Sequence, residues 1–158
     1  MNRPGTPSPG EGEPPMCHTV MQHDFCVLSA PESVPLARRE TAKILDGWGV
    51  PADVVGAARL IVTELLTNVV QHAALLSPTA AISLSHDGTC LTLTVSDSHP
   101  FRPRALQVPY GLGGRGLYLV RTLVDEAQGT HDVVADAGTG GKHVIISLPA
   151  RVRAGGER

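Results

Sequence analysis

Residues 64–73 read Glu-Leu-Leu-Thr-Asn-Val-Val-Gln-His-Ala, and this stretch decides the fold. It lies in a longer segment where Ala58, Ile61, Val62, Leu65, Leu66, Val69, Val70 and Ala73 recur at alternating spacings of three and four. At 3.6 residues per turn that spacing gathers them into one broad apolar stripe, so a helix packed on a core is expected. Pro51 and Asp53 open it, and it runs to about residue 74 before Pro78 breaks it. Glu64, Asn68 and His72 fall in line along one border of the stripe. An acid and an amide are thereby held one turn apart at the rim of the core. His72 is expected to pack at the helix end with one ring nitrogen satisfied.

Working outward from this helix, residues 25–29 read as a strand, ended by Pro31. Ser33 is expected to cap a helix over 33–47, which Gly47 and Gly49 stop on either side of Trp48. Downstream, 81–85 and 91–95 read as a strand pair turning at Asp87-Gly88, with Leu91, Leu93 and Val95 alternating and Asp97 at the end. Residues 98–113 hold prolines and glycines without periodicity, a loop long enough to be a lid. A helix over 114–125 follows, its inner face Leu117, Val120, Leu123 and Val124, then strands over 131–134 and 143–148 around Gly138-Thr139-Gly140-Gly141. The expected fold is α+β, a two-layer α/β sandwich with helices on one face of a mixed, mostly antiparallel sheet. The domain is expected over 23–150, between a disordered tail over 1–22, rich in proline, and a second tail over 151–158.

With 158 residues and 42% apolar side chains, the chain is large enough for one domain with its own core. A formal net charge of −2 gives no field that selects nucleic acid or an anionic membrane. No apolar run approaches the ~20 residues of a membrane span, and the first residues lack the order of a signal peptide. A cytoplasmic protein is expected. Cys17, Cys26 and Cys90 match no disulfide framework. Cys17, His18, His23 and Cys26 cluster loosely, but not at the spacing of a zinc finger or knuckle.

Three features carry chemistry. Asn68 offers a neutral oxygen to Mg²⁺, and Glu64 one turn away can accept a proton from a water or hydroxyl attacking a phosphate; the pair alone also fits a solvated polar face. Asp97 can accept a hydrogen bond from an exocyclic amine such as that of adenine, or simply start a turn. Gly111-Leu112-Gly113-Gly114-Arg115-Gly116 lets backbone approach a phosphate at a helix N-terminus, with Arg115 as a further contact; a flexible loop is the alternative. The GxGxxG match lacks the strand and βαβ unit of a dinucleotide-binding fold. A P-loop is excluded because His143 follows Gly141-Lys142 and Asp136 stands where its first glycine belongs. Ser96, Asp97, Ser98 and His99 are adjacent residues without a GxSxG elbow, so a hydrolase triad is not expected.

The order of these pieces resembles the GHKL (Bergerat-fold) ATPases, and within them the anti-sigma-factor and serine-kinase branch. Glu64 to Ala73, Val95-Ser96-Asp97, Gly113 to Val120 and Gly141 to Val144 carry the resemblance, over about 25–149. It implies ATP and Mg²⁺ as cofactors, with Glu64 as catalytic base and Asn68 as Mg²⁺ ligand. It also implies Asp97 as the adenine reader, Gly111, Gly113, Gly114 and Gly116 as phosphate cradle, and Lys142 in the closing nucleotide motif. The implied activity is serine/threonine-protein kinase on a STAS-domain antagonist, alternating with sequestration of a sigma factor and accompanied by a possible homodimer. Two positions depart from the pattern: Ser98-His99-Pro100 replaces the glycines after Asp97, and His143 stands where threonine is common. A non-catalytic regulatory module of the same fold is the alternative. A sensor histidine kinase would need an upstream helical phosphoacceptor segment, which 1–22 does not resemble.

Overall fold

The computed structural model describes residues 19–100 and 115–152. Readings that fall on 1–18, on 101–114 and on 153–158 lie outside the described residues. Five strands, β1 (Met21–Leu28), β2 (Thr79–His86), β3 (Cys90–Asp97), β4 (Thr130–Ala135) and β5 (Lys142–Pro149), form one sheet. Their order is β1-β2-β3-β5-β4, and every neighbouring pair is antiparallel. The helices α1 (Ser33–Gly47), α2 (Ala52–His72) and α3 (Arg115–Glu126) pack together, with α2 in the middle, touching both others and β3.

Strand alternation places the core on one face. Ile82, Leu84, Leu91, Leu93, Val95, Ile146 and Leu148 are buried under the helices, while Ser83, Thr92, Thr94, Ser96 and Ser147 stand half-buried on the other face. The α2 stripe meets this core through Val55, Ala58, Ile61, Val62, Leu65, Leu66 and Val69, all buried; Val70 is only half-buried. At ~25 cal/mol per Å² of apolar area removed from water, this interface is the main stabilising term.

Two local expectations are corrected. Ser33 is the first residue of α1 and is buried, and Glu32 occupies the cap position without a side-chain hydrogen bond. The chain is already winding before Ser33: Glu32 has helical backbone angles, the Ser33 N–H donates to the Ala30 carbonyl at 3.0 Å and that of Val34 to Pro31 at 3.2 Å, so Ser33 falls inside the first turn rather than at its cap. β1 starts at Met21 rather than 25, because backbone pairing to β2, Met21 opposite His86, continues beyond the apolar residues. The C-terminus of α1 agrees with expectation. Gly49 takes φ +72°, its N–H donates to Asp46 and that of Val50 to Leu45, a Schellman cap.

Ser77 joins the end of α2 to the exit of β3. Its buried hydroxyl donates to the Thr79 carbonyl at 2.8 Å and accepts the Ser98 N–H at 2.9 Å. Among the described residues no helix is long and apolar enough to cross a membrane.

Candidate functional site

Glu64 and Asn68 occupy the expected border of α2, both half-buried. Packing of α3 on α2 brings Gly116 against Glu64. A Cβ on Gly116 would overlap the Glu64 carboxylate, with Cδ 3.1 Å and Cβ 3.6 Å away. Only glycine allows this approach. The first N–H groups of a helix have no partner within it, so the positive end of α3 lies beside an acid. His72, expected to pack, is exposed at the end of α2. Arg115 opens α3, and Gly111, Gly113 and Gly114 lie outside the described residues.

Asp97 and Lys142 stand directly opposite each other at the end of the β3–β5 ladder, on the helix-covered face. Lys142 Nζ lies 2.9 Å from each Asp97 carboxylate oxygen and 3.2 Å from the His99 carbonyl. The His99 N–H donates to Asp97 Oδ1 at 2.8 Å. The two side chains are 1% and 4% exposed. Gly141 permits this closeness, since a Cβ there would overlap the Asp97 carbonyl. Sequence reading placed both residues at a nucleotide site but did not pair them; their partnership follows from a ladder between strands distant in the chain.

One register position back, on the open face, Ser96 Oγ lies 2.6 Å from His143 Nδ1, and His143 Nε2 lies 3.6 Å from Asp136 Oδ2. Hydrogen bonds from the Gly138 N–H and the Thr139 hydroxyl hold the Asp136 carboxyl below its usual range. The three types are those of a hydrolase triad, but 3.6 Å is too long for the second hydrogen bond. β3 lies between β2 and β5, so its N–H groups serve the ladder rather than an oxyanion. Among the described residues no group of three or more His, Cys, Asp or Glu can hold a metal; His23 and Cys26 are exposed on β1.

The residues fit the two halves of a magnesium nucleotide unequally. The carboxylate of Glu64, the amide of Asn68 and the start of α3, with Gly116 against Glu64, have the chemistry that Mg²⁺ and phosphates would need. Asp97 does not offer adenine an open carboxylate, because Lys142 contacts both oxygens, the His99 N–H takes a further position on Oδ1, and the side chain is buried.

A central helix carrying an acid and an amide, a second helix whose first turn sets a glycine against that acid, and an antiparallel sheet with a strand-end aspartate define the GHKL class of ATP-binding sandwich. The chain belongs to the histidine kinase-like ATPase domain family, whose profile matches residues 27–148. Among solved structures, a blue-light-activated histidine kinase from Erythrobacter litoralis is 30% identical, with TM-score 0.50, over 63% of this chain and 31% of that one. Its separate histidine kinase domain is 29% identical, with TM-score 0.49, over 63% of this chain and 46% of that one. The RsbU and RsbW domains of a Mycobacterium tuberculosis protein share the fold at 18% identity and TM-score 0.54, over 83% of this chain and 34% of that one. The chain thus spans less than half the length of each. No functionally curated protein matches it.

Proposed function

We propose that this chain is a cytoplasmic, ATP-binding anti-sigma factor and serine/threonine-protein kinase that sequesters a sigma factor and phosphorylates a STAS-domain antagonist. The observation that carries the catalytic part is the contact between Glu64 on α2 and Gly116 at the start of α3, with Asn68 one turn along. Bound Mg-ATP would supply the transferable phosphoryl group. Asn68 would hold the metal, and Gly111, Gly113, Gly114, Arg115 and Gly116 would cradle phosphates at a helix N-terminus. Glu64 would orient the attacking serine hydroxyl and accept its proton, the positioning role that phosphoryl transfer asks of a protein. The motif order supports the partner assignment, and one fold neighbour contains an RsbW domain.

The test is phosphotransfer from labelled Mg-ATP to STAS-domain proteins of the same genome. Glu64→Gln should lower transfer by about 100-fold or more while leaving nucleotide affinity within about threefold. Wild-type transfer rates in Glu64→Gln would remove the catalytic assignment. The buried Asp97–Lys142 pair favours a second reading, a regulatory module without turnover. Partner capture without phosphotransfer would select it.

A further inference from the structure

A carboxylate recognises adenine by accepting a hydrogen bond from the exocyclic amine, which requires a lone pair facing open space. Asp97 is differently disposed. Each oxygen lies 2.9 Å from Lys142 Nζ, and Oδ1 also accepts the His99 N–H at 2.8 Å. The ammonium is equally committed, its further contact being the His99 carbonyl at 3.2 Å. With side chains 1% and 4% exposed, the pair lies out of water's reach. It is also built into the ladder: Asp97 and Lys142 are direct cross-strand partners, and Gly141 next door lets the strands close. A base amine would have to break a buried, hydrogen-bonded ion pair, the kind whose disruption is strongly unfavourable.

We infer that Lys142 is a specificity-determining residue that occupies Asp97 in place of a base. This rests on the nucleotide reading above and narrows it: affinity resides in the metal and phosphate end, and adenine is not distinguished from guanine. The chain then senses the phosphate state of a nucleotide rather than the identity of its base. Threonine at 142 carries no ammonium, and its single hydroxyl could occupy at most one carboxylate oxygen, so the other would be released.

The experiment is calorimetric titration of the full chain with Mg-ATP and Mg-GTP, for wild type and Lys142→Thr, with far-ultraviolet circular dichroism to verify folding. Wild type should bind the two within about threefold of each other, and Lys142→Thr should bind ATP at least about tenfold tighter than GTP. The wild-type ratio needs no variant, so the inference stays open to refutation even if Lys142→Thr fails to fold. Wild type preferring ATP by tenfold or more overturns the inference and leaves the nucleotide reading intact. A folded Lys142→Thr without base preference also overturns it. If wild type binds neither nucleotide and Lys142→Thr binds ATP selectively, occupancy of Asp97 by lysine is supported in its stronger form. Binding of neither nucleotide by either protein overturns the nucleotide reading itself, and this inference with it.

Discussion

Replacing Gly116 with alanine separates the site from the fold. The new Cβ would land on the outer oxygen of the Glu64 carboxylate, while Cδ would be 3.1 Å and Cβ 3.6 Å distant. Only the tip of a half-buried, flexible side chain must move, and turning it off its preferred rotamer costs about 0.5–1.5 kcal/mol. Alanine in place of glycine in a helix returns about 0.5–1 kcal/mol. The terms oppose each other, so net stability should stay within about 1 kcal/mol of wild type. Under the proposed mechanism function should not survive as well, because a displaced carboxylate could no longer accept the proton that the proposal assigns to it. Loss of a positioned base lowers rates by about 10²–10⁴. Urea unfolding followed through Trp48, the only tryptophan, gives the stability, and phosphotransfer from labelled Mg-ATP gives the rate. Unchanged transfer would refute the reasoning about Glu64. A loss above about 2 kcal/mol would show that Glu64 is wedged rather than free to turn.

The Asp97–Lys142 pair should show strong coupling: Asp97→Asn and Lys142→Met should each cost about 3–5 kcal/mol, and the double variant much less than their sum. Additive losses in a urea-denaturation cycle would show that the two charges do not depend on each other. Asp87 should give an acid-sensitive component. Hydrogen bonds from the Thr89 and Cys90 N–H groups lower its carboxyl to about 2, so the stability it confers is present above its unfolded value near 4 and is lost as pH falls toward 2. In thermal melts from pH 2 to 6, Asp87→Asn should lie below wild type above pH 4 and converge with it near pH 2, and parallel curves would contradict this.

The sequence makes legible whatever depends on spacing within one element. The α2 stripe and the Glu64–Asn68 border follow from helical geometry alone, and Leu91, Leu93 and Val95 from strand alternation. Gly49 as a helix stop is legible because only glycine takes its backbone angle easily. Readings that depend on the neighbouring chain fail or stay incomplete. Ser33 has the right residue type for a cap, but the preceding turn starts the winding one residue earlier and draws Ser33 into the helix. The edge strand β1 is extended by ladder hydrogen bonds that no side-chain pattern records. Contacts between elements are hidden for the same reason. Nothing in Gly116 announces Glu64, 52 positions earlier, and nothing in Asp97 announces Lys142 until β5 is known to lie between β3 and β4.

The last two rungs of the β3–β5 ladder carry opposite instructions. Ser96 with His143 faces outward and Asp97 with Lys142 faces inward, in consecutive positions. Sliding β5 by a single residue would bring His143 inward, turn Lys142 out to water and strand the Asp97 charge, while Val144, Ile146 and Leu148 left the core together. Apolar alternation alone would tolerate a two-residue slide, because it preserves which face each side chain takes. The charged rung does not tolerate it, since no other lysine lies within β5. These rungs act as a key for strand alignment. An extra residue in the turn over 136–141 should therefore bulge locally and leave the alignment of β5 unchanged.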